Sequence, residues 1–382
     1  MAEDFGHVLG DRIRRARKRL GISQTELARI CNFSAHQTIV QIEKGQREVK
    51  AWELAALAKA LHVRISDLVL ASSEEAEPII LWRECPEEGK ELIEADFRKH
   101  CMDYSTLEKL AGEDVGRDLP SVNVGTTKED FSYRAAAELA DIARRNFDLG
   151  SMPAGSLEGT LENSYRIKIW YRDLSSKGSA ASTKGTFGCG ILINSKEPPW
   201  RRNFSFAHEL FHLLTWDIFP PESLSDKALF DKVESFANSF ASSLLLPSDT
   251  VKVAFEKHIQ NKKVTYTDFI SIARQFGVST EALMYRLLIL GCISKQVVEQ
   301  LKADSAFRDL DRSTMSANWW EPPPIPERFV RLAFTAYTKG NLSRSKLAEY
   351  LNTSIAALTD TLMEYGLDDR EDYEAKMLNA RC

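Results

Sequence analysis

Apolar positions along this 382-residue chain change their spacing three times. Residues 7–70 carry them at helical period in five short runs divided by turn signals. Gly21 closes the first run. Ser23 opens the second as a cap, and Glu26 three residues on completes a capping box. Asn32-Phe33-Ser34 makes a tight corner into a third helix, which stops at Glu43-Lys44-Gly45. Residues 71–90 are acidic, contain two prolines and read as a linker. A helical stretch follows to about 112, then a connector rich in Gly, Asp and Thr. From Phe131 a strongly amphipathic helix runs to Phe147. Tyr165–Arg172 alternates as a strand does, and Thr186–Asn194 is a second strand candidate. Phe204–Trp216 and Asp231–Leu246 return to helical period, the latter halted at Pro247. Helical runs continue to the end, broken at Asn318-Trp-Trp-Glu-Pro-Pro-Pro. The expected fold class is mainly α with an α+β core: a five-helix N-terminal domain (1–70), a linker and helical connector (71–130), a central domain with a small sheet (131–290) and a C-terminal helical module (295–382).

One pattern recurs. Ser23-Gln-Thr-Glu-Leu27-Ala28-Arg-Ile-Cys-Asn32-Phe-Ser34 matches Ser343-Arg-Ser-Lys-Leu347-Ala348-Glu-Tyr-Leu-Asn352-Thr-Ser354, and Asp268-Phe-Ile-Ser-Ile272-Ala273-Arg-Gln-Phe-Gly277-Val-Ser279 is a looser copy. Each is a capped helix with a small alanine at a close crossing, a turn, and a second cap opening the next helix. That is the helix-turn-helix corner. Helical domains also use it for packing alone, which is the expectation for the two later copies. The last copy makes 295–382 a candidate second fold of this kind.

Composition narrows the class without redrawing it. The chain is 43% hydrophobic and 27% charged, ordinary globular values. It has no run of about 18 apolar residues, so no membrane span is expected. The first residues lack the apolar core of a signal peptide. Six scattered cysteines without a close pair suit a reduced, cytoplasmic protein. Charge adds more. Residues 1–70 hold twelve Lys/Arg against eight Asp/Glu, a net +4, which leaves −9 for the remainder of a chain whose formal charge is −5. A basic head on an acidic body points to nucleic acid as the head's partner.

The candidate chemistry lies at His208-Glu209-Leu210-Phe211-His212. Residues four apart share a helix face, so both imidazoles reach one ion. Zinc takes imidazole nitrogen at about 2.0–2.1 Å and, for catalysis, needs a third ligand and an open position. Glu209 lies about 100° round the helix from His208, beside the ion without ligating it. There it can take a proton from water and pass it to a leaving amine. The five residues alone arise by chance in roughly one chain of this length per hundred, so a third ligand decides. Glu234 follows His212 by 22 residues, room for a helix end, a loop and an antiparallel return. Val233, Phe236, Ala237, Phe240 and Ala241 would pack its helix on the first. Asp231 is the rival ligand, but a capping role at the expected helix start accounts for it. Asn238, one turn beyond Glu234, is placed to hydrogen-bond a ligand imidazole.

Two resemblances build on these residues. Arg202-Asn-Phe204-Ser-Phe-Ala207-His208-Glu209-Leu210-Phe-His212-Leu-Leu is similar to the active-site helix of the ImmA/IrrE metallopeptidases. Glu234-Ser-Phe-Ala237-Asn238-Ser-Phe240-Ala241-Ser-Ser-Leu244-Leu245-Leu246-Pro247 resembles their following segment, and Ala273-Arg-Gln-Phe-Gly277-Val278-Ser279 with Glu281-Ala282-Leu283 a third. The likeness spans roughly Ser132 to Leu290. It implies a zincin-like core with Zn2+ on His208, His212 and Glu234. It also implies a protein substrate, typically an Xre-type repressor whose cleavage switches on damage-response, mobile-element or defence genes. Leu246 stands where the family often has Met, and Phe211 where Gly is common.

Residues 7–70 resemble the Xre/Cro helix-turn-helix family through Ser23-Gln24-xx-Leu27-Ala28 and Ile39-xx-Ile42-Glu43-x-Gly45-x-Arg47. That docking places the second helix of the motif in the major groove. His36, Gln37 and Thr38 are the candidates for base edges, Gln24 and the first-helix arginines for phosphates. The interval from Ser34 to Glu43 is one residue longer than the usual pattern. Such folds read half-sites as dimers, so a homodimer is expected. The reading is a DNA-binding, zinc-dependent endopeptidase that cuts a repressor or antitoxin-like partner; the alternative is a helix-turn-helix regulator or antitoxin with an unused metal site. Cys189, His100 and His258 are expected to be structural, and Trp319-Trp320 to pack the C-terminal module on the core.

Overall fold

The structure is a computed structural model and describes residues 2–70, 78–113, 119–120, 127–174, 178–259, 264–314 and 320–369. Its N-terminal helices are α1 (Ala2–Arg19), α2 (Gln24–Ile30), α3 (His36–Glu43), α4 (Ala51–Ala60) and α5 (Ile65–Val69). The expected capping box is present, with Ser23 Oγ accepting from the Glu26 amide and the Ser23 amide donating to Glu26 Oε2, both at 3.1 Å. α3 opens differently. Its cap is Ala35 rather than Ser34, and no side chain serves it. Ile13, Leu27, Ile39, Ile42 and Leu57 fill this domain's core. Arg17 Nη2 donates to the buried Glu43 at 3.0 Å, tying α1 to the end of α3. Gly10 permits that approach, because a Cβ there would lie 2.3 Å from the Ile42 carbonyl oxygen.

Residues 80–82, expected within a linker, form β1 (Ile80–Trp82). Then come α6 (Lys90–Ala111), α7 (Tyr133–Asn146), the short α8 (Leu157–Gly159), β2 (Lys168–Arg172), β3 (Ala180–Gly185) and β4 (Gly188–Asn194). The sheet order is β1-β3-β4-β2, with β2 parallel to β4 and the other pairs antiparallel. β2 and β4 fall inside the two expected strands. β3 carries no strand signal, since Ala-Ala-Ser-Thr-Lys-Gly has neither alternation nor a large apolar residue. Its place between two partners makes it a strand, with Ala180 to Thr183 all buried.

α9 (Pro199–Leu214) packs on β3 and β4, and α10 (Lys227–Leu245) packs on α9 and α7. α10 begins at Lys227, capped by Asp226, whose carboxylate accepts from the Ala228 amide at 2.9 Å. Asp231 therefore sits exposed in the second turn, and capping does not explain it. The remaining helices are α11 (Ser248–Lys257), α12 (Tyr266–Gln275), α13 (Thr280–Ile289), α14 (Lys295–Ala303), α15 (Ser305–Ser313), α16 (Glu327–Thr338), α17 (Arg344–Tyr350) and α18 (Leu358–Glu364). The three repeat copies share one backbone device: Asn32, Gly277 and Asn352 have φ of +55°, +62° and +48°. In the looser copy Thr265 is the cap, and Asp268 completes its capping box instead.

α6 joins the parts. Ile93, Phe97 and Cys101 pack on the sheet with Trp82 and Leu192, while Tyr104, Leu107 and Ala111 pack on Phe329, Val330 and Leu347. Buried Arg328 clamps the second contact through Glu108 at 2.8 Å and Glu113 at 2.6 Å. Close by, the Tyr104 hydroxyl donates to Glu162 at 2.7 Å, and burial pushes the Glu162 carboxyl from 4.5 up to about 7. A group raised in this way ionises first in the unfolded chain. Its stabilising contribution is full below the unfolded pKa and is lost as pH rises through the folded one. Glu162→Gln is expected to flatten the loss of stability between about pH 5 and pH 8, by on the order of 2–3 kcal/mol. Denaturant unfolding at both pH values checks this, and an unchanged slope would contradict it.

Candidate metal centre

Thirteen of the sixteen residues of α9 are buried, and Arg202, His208, Glu209 and His212 are among them. Buried ionisable groups are costly unless paired or ligating. What each one meets therefore defines the site.

Arg202 meets carbonyl oxygens. It donates to Ser195 at 3.2 Å, Glu197 at 2.9 Å and Trp320 at 2.6 Å, and lies 4.1 Å from the Trp320 ring centroid. Trp320 thus packs on α9, while Trp319 lies outside the described residues.

The histidines meet Glu234. Its carboxylate lies 3.2 Å from His208 Nε2 and 3.1 Å from His212 Nε2, and the two nitrogens are 3.2 Å apart. One ligand atom from each residue falls within 4.8 Å of the others, the sole group of three or more such residues among those described. Asn238 Oδ1 lies 3.1 Å from His208 Nδ1. That contact suits a proton on Nδ1 and leaves the Nε2 lone pair facing the cluster. Burial pushes the His208 imidazole down to about 4. Burial also works against charge on His212, but Glu234 and Glu209 outweigh it and raise its pKa. Burial would lift Glu234, yet the two imidazoles prevail and hold it down at about 2.

Glu209 faces Ser182, His212 and Glu234 without a hydrogen bond of normal geometry. Both carboxylate oxygens are buried without a hydrogen-bond partner, and burial pushes the group up to about 7. The neighbouring hydroxyl of Ser182 on β3 is unpartnered as well. Two imidazole nitrogens, one carboxylate and an orphaned carboxyl beside them fit a tetrahedral cation with an open position, and zinc's preference for N and O donors suits this set.

Ser182 gives no sequence signal, because β3 has no strand pattern. Neither does Arg83, from the acidic segment before α6, which donates to Ser205 Oγ on α9 at 3.0 Å. Cys189 is partly buried on β4 and stands outside the ligand cluster. His258 Nδ1 bonds the Ala254 carbonyl at 2.8 Å, and His100 stacks on Trp170 at 3.8 Å. On α3, His36 and Gln37 are exposed and Thr38 is half-buried in the first turn. Gln24 is half-buried, with its amide nitrogen donating to Glu43 at 2.8 Å.

Residues 163–288 match the family model of the IrrE N-terminal-like domain, and residues 13–68 match that of the helix-turn-helix. The chain joins a helix-turn-helix domain to an IrrE-like peptidase domain. No curated protein matches it. The peptidase match supports a metallopeptidase-type enzyme with a metal cofactor, usually zinc, and it encloses α9, α10 and the whole ligand cluster. β1 and α6 precede it. The helix-turn-helix match supports DNA binding and covers α2 to α4, nearly all of α5 and the C-terminal part of α1. No helix among the described residues is long and apolar enough to cross a membrane.

Proposed function

We propose that the chain is a zinc-dependent endopeptidase with a DNA-reading head, which controls transcription in the cytoplasm by cutting a repressor or antitoxin-like partner. The observation that carries this reading is the buried, unpartnered Glu209 carboxylate beside the His208–His212–Glu234 cluster. Those three would hold the ion through two imidazole nitrogens and a carboxylate oxygen, a gluzincin-like set. When bound, zinc supplies Lewis acidity toward a carbonyl oxygen and toward water. Glu209, raised to about 7, is matched to accept the proton of the attacking water and return it to the leaving amine. Asn238 holds His208 in its ligating tautomer.

The experiment uses the zinc-loaded chain and the product of a neighbouring gene encoding a small Xre-type repressor, read by intact mass. A new repressor N-terminus is expected. A repressor that stays whole under inducing stress in cells and in vitro would sink the reading.

For the head, His36, Gln37 and Thr38 would face base edges, with Gln24 and the α1 arginines on phosphates in a homodimer on paired half-sites. Replacing His36, Gln37 and Thr38 together by Ala is expected to erase the footprint on the protein's own promoter. A footprint that persists overturns the assignment of these three side chains to base edges, and a wild-type chain that leaves no footprint assigns the domain to protein docking instead.

A further inference from the structure

β1 lies on the edge of the sheet nearest the reacting groups. α9 directs Glu209 toward Ser182 of β3. β4 takes one edge of β3 and β1 the other, with Ile80 opposite Thr183, Leu81 opposite Ser182 and Trp82 opposite Ala181. Bonding extends beyond the strand ends. Thr183 Oγ1 donates to the Ile79 carbonyl at 2.8 Å, the Arg83 amide to Ala180 at 3.1 Å and the Ser179 amide to Glu84 at 3.2 Å. Residues directly opposite in an antiparallel pair share a face, so Leu81 stands on the face of Ser182. It packs against the core around α9. Arg83 reaches Ser205, one helical turn before Glu209, with its guanidinium 5.2 Å from the Phe204 ring. Ile80 and Trp82 pack on the opposite face against α6, where the Trp82 indole donates to Glu94 at 2.9 Å.

An extended peptide binds a sheet by adding to its edge. The strand beside Glu209 is β3, and its outer edge is the one along which a peptide bond would approach that carboxylate. The geometry points to β1 as an intramolecular occupant of the substrate's place: residues 79–84 compete with an incoming peptide, which is admitted when this strand leaves β3. The inference rests on the peptidase reading and deepens it. It also describes the substrate segment by what β1 now presents: an extended stretch with an apolar side chain opposite Ser182 and, two residues on, a long polar one able to reach Ser205.

The test uses the full chain loaded with zinc and a fluorescein-labelled tripeptide hydroxamate containing Leu, followed by anisotropy. Ile80→Cys with Thr183→Cys, in a Cys85→Ser background, can lock β1 in place by a disulfide. The Arg83–Ala180 bond makes Ile80–Thr183 a non-hydrogen-bonded pair by alternation, with Cα atoms about 4.5 Å apart, within the reach of a disulfide. The oxidised form is expected to bind the probe at least about tenfold more weakly than the reduced form, because apparent affinity scales with the competent fraction. Trp82→Ala is expected to bind it more tightly than wild type, with faster hydrogen exchange at the β3 amides. Equal binding by oxidised and reduced forms overturns the inference and leaves the peptidase reading standing. Weaker binding by Trp82→Ala at an unchanged thermal midpoint makes β1 part of the binding surface and also overturns it. No binding by any form that carries zinc overturns the peptidase reading, and the inference with it.

Discussion

Glu209→Gln is expected to cut partner cleavage by about 10³-fold, within the range for loss of a general base, while zinc content stays near wild type. Glutamine keeps the size of the side chain but cannot carry the proton. The variant should not be less stable. Glu209 is buried with both oxygens unpartnered, an arrangement that costs stability in return for reactivity, and an amide is cheaper to bury than a carboxylate. A thermal midpoint at or above wild type, with cleavage gone, separates a lost base from a damaged fold. Full cleavage by this variant would make the buried carboxylate irrelevant to turnover and assign the base to another group, whereas a wild-type chain that leaves the partner whole would favour a regulator with an unused metal site.

Glu234→Ala carries the second large effect. It removes one donor and leaves His208 and His212 facing each other without their carboxylate, at Nε2 to Nε2 3.2 Å. Zinc affinity should fall by more than the roughly 10–100-fold that loss of an outer hydrogen bond costs, which is the expectation for Asn238→Ala. Stabilisation by added zinc follows ligand linkage, so the zinc-induced rise in melting temperature should vanish in Glu234→Ala and shrink in Asn238→Ala. Chelator competition and paired melts measure both. Asp231→Ala should change neither, because Asp231 is exposed on α10 and stands outside the ligand cluster. If Asp231→Ala loses zinc and Glu234→Ala keeps it, the ligand assignment is wrong.

The helical parts of this fold are legible because local chemistry sets them. Ser23 and Glu26 form their box from side chains three residues apart, and the corners at Asn32 and Asn352 follow one pattern. The pairing of α9 with α10 is legible too, since the apolar spacing around Glu234 orients its helix on the first. What escapes is set by distant partners. β3 is made of small and polar residues and exists because β1 and β4 flank it. β1 is three residues long, and its partners lie about a hundred positions away in sequence. No period in either segment encodes that pairing. Asp226 displaces Asp231 as the cap because α10 extends one turn further back than its apolar period indicates.

The central claim is that His208, His212 and Glu234 hold one zinc ion with Glu209 beside it. Zinc K-edge X-ray absorption on the purified full chain tests it most directly. The account predicts two imidazole nitrogens at about 2.0–2.1 Å and carboxylate oxygen at about 2.0–2.2 Å, with the signal lost in His208→Ala and in His212→Ala. A sulfur shell at about 2.3 Å, or a wild-type chain that takes up no zinc, would contradict it.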